Sequence, residues 1–225
     1  MKVNKTLFAV AFASLFGSSS AMASGTLSSS EAKTLTFMAE EEKLARDVYR
    51  SLHEKWGIQT FSNISGSEQR HMSRMLNSLS QYGLSNPVTN DSTGVFADKK
   101  LASLYSDLVA KGGSSELAAL KVGGFIEELD IKDLQDAIRE TNQPDLKRTY
   151  ENLLRGSRNH LRAFVRQINQ QERYVAQVLP QSEVDAIVNS PSERGGNGSK
   201  GKGKGHGKGM GQGKGMGNGN RRLSN

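Results

Sequence analysis

Between Phe61 and Tyr82 the apolar residues Phe61, Ile64, Met72, Met75, Leu79 and Tyr82 recur at three- and four-residue steps, the period of a helix with one buried face. The same run carries Glu68 and His71, three residues apart and on that face. A buried carboxylate and a buried imidazole need polar partners, so whatever packs against this helix has to bring them. That requirement narrows the folds open to the chain more than its composition does. No stretch alternates with period two over a useful length, and the spacing predicts helices almost throughout.

Ser28, Ser29 or Ser30 is placed to cap a first helix that runs to Trp56, with Leu35, Met38, Ala45, Val48, Tyr49 and Leu52 inward and Gly57 as its stop. A second helix is expected over residues 62–82. Residues 83–98, with Asn86-Pro87, Asn90-Asp91 and Gly94, read as a long crossover. A short helix over 99–111 then stops at Gly112-Gly113. Ser114 or Ser115 caps a third long helix to Thr141, with Leu117, Leu120, Ile131, Leu134 and Ile138 inward. Pro144 introduces a fourth, over 145–170, that turns Tyr150, Leu153, Leu154, Leu161, Phe164 and Ile168 inward. A last short helix is expected over 180–188. Four long helices, joined in the middle by one connection much longer than the others, outline an all-α, ferritin-like four-helix bundle.

Every long helix sets polar groups on its apolar stripe. Glu42 lies four residues after Met38 and seven before Tyr49, with Glu41 the alternative one residue out of phase. Glu127 lies seven residues after Leu120 and seven before Leu134, with Asp130 one turn on, and His160 lies seven after Leu153 and four before Phe164. Taken alone, Asp130 and Asp133 read as surface residues, as do Glu40 and His53. Buried carboxylates that face one another repel and are driven to protonate, and a divalent cation removes both penalties. The set Glu42, Glu68, His71, Glu127, Asp130 and His160 suits iron or manganese, with zinc compatible. The other reading of the same residues is a metal-free bundle with a polar core.

The two ends differ from this middle. Residues 1–23 begin with Lys2 and Lys5, continue through an apolar run from Leu7 to Phe16 and close on Ala21-Met22-Ala23, the pattern of a signal peptide cut before Ser24. That run is too short for a hydrocarbon core that needs about twenty residues, so no membrane span is expected and the mature protein is expected to be periplasmic or secreted. At the other end, the tail assigned to 191–225 is rich in Gly and Lys. Within residues 195–225 there are seven Lys or Arg and no acid, a composition expected to be disordered and to attach to anionic polymer. The whole chain is at +7; with seven charges in the tail and two in the leader, residues 24–194 are left at −2. One domain over 24–190 follows. There is no cysteine, which removes disulfides, thiolate metal sites, iron–sulfur centres and thiol nucleophiles together.

Glu42-x-x-Ala45-Arg46-x-x-Tyr49, Glu68-x-x-His71 and Glu127-x-x-Asp130 resemble the ligand helices of the ferritin-like di-iron proteins, with rubrerythrin the nearest comparison. The stretches from Ala39 to Asp47 and from Gly156 to Phe164 also resemble an exported prokaryotic ferritin-like family of unassigned function (domain of unknown function 2202), over most of residues 30–170. The first resemblance implies a dinuclear iron site that handles peroxide or dioxygen or oxidises ferrous iron, with Tyr49 orienting a carboxylate. One departure stands out: where the di-iron proteins carry Glu-x-x-His, this chain has Ser157-x-x-His160. The half of the site near Glu127 and His160 is therefore expected to hold metal more loosely than the half near Glu42, Glu68 and His71. From a different class, the alternative is a helical scaffold whose basic tail attaches to an envelope polymer. Substrate, electron donor and oligomeric state are left open by the sequence.

Overall fold

The computed structural model of the protein describes residues 26–194. The leader and residues 195–225 of the tail lie outside the described residues. Six helices and no strand occur among the described residues: α1 (Ser29–Trp56), α2 (Gln59–Gln81), α3 (Lys99–Gly112), α4 (Glu116–Glu140), α5 (Pro144–Ile168) and α6 (Gln181–Asn189). The all-α class is as the periodicity predicts.

The caps explain the boundaries. Ser28 closes α1 with a capping box: its hydroxyl accepts from the Glu31 amide at 3.2 Å, and its own amide donates to Glu31 Oε2 at 2.8 Å. Gly57 then takes φ 68°, which ends the helix with its amide on the His53 carbonyl. Helix α2 starts at Gln59, three residues before the expected position, because Phe61 is pulled into the core and its amide reaches back to the Ile58 carbonyl at 3.1 Å. Asp98 caps α3, Ser115 caps α4, and Pro144 occupies the first turn of α5.

Helix α1 packs on α2, α3 and α4, and α5 packs on α4, α2 and α6. Being surrounded, α1 is buried without a break from Met38 to Tyr49. This overturns the expectation that Glu40 is solvated: the crossover covers that side of α1, and Glu40 accepts the amides of Ala97, at 2.6 Å, and Asp98. The crossover is pinned by buried charge as well. Asp47 takes Lys43 at 2.5 Å, Arg46 at 2.8 Å and the Gly94 amide at 3.1 Å, while Lys43 also donates to the Ser92 carbonyl and Arg46 to Asp91. His53, expected at the surface, is half-buried with Nδ1 3.1 Å from the Ile58 carbonyl.

A second carboxylate holds the chain after α5. Glu128 is fully buried and accepts the Tyr174 hydroxyl at 2.6 Å and the amides of Gln177, Val178 and Leu179. Past α6, Glu193 meets Arg158 and Arg162, and Asn159 hydrogen bonds its backbone at both ends. Residues 191–194, assigned to the tail by composition, are thus tied back onto α5. The aromatic centre of the core is Tyr49, Phe61 and Phe164, with ring centroids 5.3–5.8 Å apart. Gly123 makes room for it, since a Cβ there would stand 2.5 Å from Phe164 Cε1.

Asp47→Ala strips Lys43 and Arg46 of a shared buried counter-charge and frees the crossover. We expect a loss of about 3–5 kcal/mol in urea unfolding, the range for breaking a buried ion pair from one side. A change within the error of the unfolding midpoint would show that the crossover is held by its apolar contacts alone.

Candidate metal centre

The apolar stripes of α1, α2, α4 and α5 are not wholly apolar where they meet. Helix α1 contributes Glu42, α2 contributes Glu68 and His71, α4 contributes Glu127 and α5 contributes His160. These five form two groups, Glu42–Glu68–His71 and Glu68–Glu127–His160, in each of which one donor atom per residue lies within 4.8 Å of the others. Glu68 belongs to both. The three carboxylates are no more than 2% exposed.

Within the first group His71 Nδ1 is 2.7 Å from Glu68 Oε2 and 3.4 Å from Glu42 Oε2. Within the second, His160 Nδ1 is 2.7 Å from Glu68 Oε1 and 3.5 Å from Glu127 Oε2. The two halves mirror each other about the Glu68 carboxylate, one oxygen to each imidazole, and the rings stack with centroids 5.6 Å apart. Despite these short separations neither Nδ1 has hydrogen-bond geometry to its neighbours, and Glu68 Oε1 and both oxygens of Glu42 are buried without a hydrogen bond. Donor atoms that crowd to 2.7–3.5 Å without hydrogen bonds between them could share an ion. Two ligands about 2.1 Å from one ion and at right angles lie about 3.0 Å apart, so the spacing is that of a coordination set.

The surroundings fix these side chains. The Tyr49 hydroxyl donates to Glu127 Oε1 at 2.6 Å, which turns the carboxylate's other oxygen toward His160. Gly156 is the floor under His71: a Cβ there would sit 2.7 Å from Cε1 and 2.8 Å from Nε2. Asp130, the sixth residue of the expected set, lies outside both groups and takes the Ser157 hydroxyl. Its side chain is one methylene shorter than a glutamate, and the Ser157 hydroxyl is the group that occupies it. In the sequence the signal for this contact is the glycine itself, since Gly156 lies inside a helix, four residues before His160, and such a glycine is a sign of close packing. Glu41 is buried beside Glu42, so both phases of that pair point inward.

Charge is heavily redistributed here. Burial pushes the Glu42 carboxyl up to about 7, against the pull of His71. Burial also opposes charge on Glu68, but His160 and His71 outweigh it and hold this carboxyl far below the ordinary range. On the imidazoles burial again works against charge, and the carboxylates prevail: Glu68 and Glu42 raise His71 well above its usual value, and Glu68 with Glu127 raises His160 to about 10. Burial, then Glu42 and Glu127, pushes Asp130 well up. The positive charge that offsets Glu68 is thus carried by His71 and His160 themselves.

An all-α protein with a shared carboxylate between two buried carboxylate–imidazole groups is the class these observations define. The chain belongs to the uncharacterized protein domain family DUF2202, whose profile matches residues 31–191. It is 49% identical over 172 residues to the uncharacterized protein MJ0754 of Methanocaldococcus jannaschii, across 76% of this chain and 93% of that protein. The crystal structure of a hypothetical protein MJ0754 from Methanococcus jannaschii DSM 2661 superposes with a TM-score of 0.74 at 48% identity, over 75% of this chain and 97% of that one.

Two outcomes follow from this geometry. Gly156→Ala drives a methyl group into the His71 ring and should weaken divalent-cation binding about 10–100-fold, the range for disturbing a ligand's support, as read by calorimetric titration; unchanged affinity would mean that the ring has room to shift. Cation binding should also release protons. With both imidazole pKa values raised, a cation displaces protons at every pH below about 10, so affinity climbs with pH and falls in acid. Titration in weakly buffered solution with an indicator dye should show acidification on adding manganese(II), and a flat trace would contradict it.

Proposed function

We propose that this is an exported ferritin-like four-helix protein whose two groups hold a pair of divalent transition-metal ions, iron first, with manganese or zinc as alternatives. Its reaction is then the oxidation of ferrous iron or the disposal of peroxide or dioxygen. The observation that carries the reading is the shared Glu68, with one oxygen to each imidazole and no hydrogen bond to satisfy Oε1. The ferritin-like assignment is supported by the pairing of α1 with α2 and of α4 with α5, by the long connection between the pairs made of the crossover and α3, and by a site residue on each of the four long helices. Export rests on the leader in residues 1–23.

A redox-active ion pair supplies the electron transfer and the open positions for a small oxidant. What the chain supplies is charge, geometry and dryness. Glu42, Glu68 and Glu127 in the two groups, with Asp130 buried outside them, carry four negative charges when ionised, and two divalent cations would cancel them. Glu68 sets the spacing between the two positions. His71 and His160 give one neutral nitrogen to each, and Tyr49 holds Glu127 in place. Tyr49 also joins the site to the aromatic cluster it forms with Phe61 and Phe164. Of the two reactions, oxidation of ferrous iron asks least of this chain: each ferrous ion brings its own electron, and two of them reduce one hydrogen peroxide and two protons to two waters. A peroxidase cycle needs an external reductant, and with no cysteine the chain has no thiolate centre to receive its electrons.

The two positions are unlike in one respect. Both Glu42 oxygens are without a hydrogen bond, whereas Glu127 commits one oxygen to Tyr49. The Glu42 half therefore offers more donor atoms, and titration of the mature protein with ferrous iron under argon should give two unequal equivalents. His71→Ala should remove the tighter. Loading at 100 times the dissociation constant should stabilise the fold by about 2.7 kcal/mol, seen as a higher melting temperature, followed by peroxide-dependent iron oxidation that His71→Ala slows. Melting temperatures unmoved by iron, manganese and zinc alike would sink the metal reading.

A further inference from the structure

Glu41 lies next to the candidate centre without belonging to it. It is only 4% exposed, and neither of its oxygens receives a hydrogen bond. The groups that act on its charge most strongly are all carboxylates: Asp130, Asp133 and Glu42. Burial, then Asp130, Asp133 and Glu42, push its carboxyl well up, so it rests uncharged unless a cation visits it. The other buried acids of the same helix show the contrast: Glu40 has backbone amides, and Asp47 has Lys43 and Arg46.

There is also a place for such a cation. An enclosed cavity between α1, α3 and α4 is lined by Glu41, Glu42 and Asp130 together with Leu104, Leu108 and Ile126. The volume open to a water centre is ≈ 10 Å³, about what one water-sized occupant needs. Its polar lining is carboxylate only, which suits a hard divalent cation and gives no nitrogen to hold a softer one. Asp133, one of the acids that act on Glu41, is partly exposed and lines a surface groove of ≈ 320 Å³ with Lys33, Phe37, Asp136 and Glu140. Lys132 leans on Asp136 at 3.0 Å more closely than on Asp133 at 3.6 Å, so Asp133 is not neutralised by a tight pair. Asp133 thus belongs both to the groove and to the acids that act on Glu41, and Glu41 shares its cavity with Asp130 and with Glu42 of the centre.

We infer that Glu41 is an oxygen-only transfer site that passes divalent cations from the Asp133 groove to the carboxylate–imidazole centre. The inference rests on the metal reading above and deepens it by giving the centre its way in. Transfer rather than storage follows from two facts. Glu41, Asp130 and Asp133 do not close to the 4.8 Å spacing of the two groups at the centre, so they hold a cation less firmly. Glu41 is moreover a fifth acid beside four that two divalent ions already neutralise, which leaves no resting ion for it to balance.

The test is stopped-flow loading of the metal-free mature protein with cobalt(II), whose absorption changes on binding nitrogen and oxygen donors, alongside the number of ions bound at saturation. Glu41→Gln keeps the shape and removes the charge, and Asp133→Asn does the same at the partly exposed mouth, where folding is not at stake. Both should bind as many ions as wild type at saturation while loading the centre about ten-fold more slowly, the effect of losing one charge-assisted contact along the route. Wild-type rates in both variants would overturn the transfer site and leave the centre standing; Glu41 would then be a neutral acid packed against Asp133. A lower number of ions in Glu41→Gln would overturn it differently, by making Glu41 a permanent ligand. A wild type that binds no cobalt(II), iron(II) or manganese(II) would defeat the centre and the transfer site together.

Discussion

The structure depends on how it keeps negative charge inside a helical core. Glu40, Glu41, Glu42, Asp47, Glu68, Glu127, Glu128 and Asp130 are all buried. Burying a carboxylate is expensive unless it is paired or fully hydrogen bonded, and the chain answers this cost in two different ways. Three of the acids are saturated by the protein: Glu40 by the amides that begin α3, Asp47 by Lys43, Arg46 and Gly94, and Glu128 by Tyr174 and the amides of residues 177–179. Each ties a non-helical segment to a helix and each is finished as it stands. Glu41, Glu42 and Glu68 receive no such completion and are left facing imidazoles or one another. The division separates acids that build the fold from acids that a cation would complete.

Adjacent positions illustrate the division. Glu127 and Glu128 are neighbours on α4, yet about 100° of helical rotation sends the first toward His160 and the second toward the segment after α5. Glu40, Glu41 and Glu42 are a run of three that a solvated face would explain on composition. Because α1 is enclosed by α2, α3, α4 and the crossover, all three are inside and each meets a different neighbour. Glycines complete the arrangement at two places where side chains could not fit: Gly123 against Phe164 and Gly156 against His71. The aromatic centre and the imidazole pair are therefore both set by an absent Cβ on the facing helix.

The amino-acid sequence by itself determined the helices, because their signals are local. Apolar period, Ser28, Ser115, Pro144 and Gly57 act within one or two turns, and they placed all six elements within three residues at the ends named for them. It also determined which face of each long helix carries Glu42, Glu68, His71, Glu127 and His160, since side-chain direction repeats with the helical period. What it could not determine is what each polar group meets, which depends on atoms far away in the chain. Glu40 is buried where its sequence neighbours predict a solvated acid, because the amides it accepts come from residues 97 and 98. Asp130 fell outside the two groups because the Ser157 hydroxyl, 27 residues on, reaches it first. Tertiary structure alone decided that Glu68 stands between two imidazoles and that Glu41 stands among acids with no hydrogen bond. Those are distances between helices, and a periodicity fixes the direction of a side chain but carries no information about the separation of the surfaces it points across.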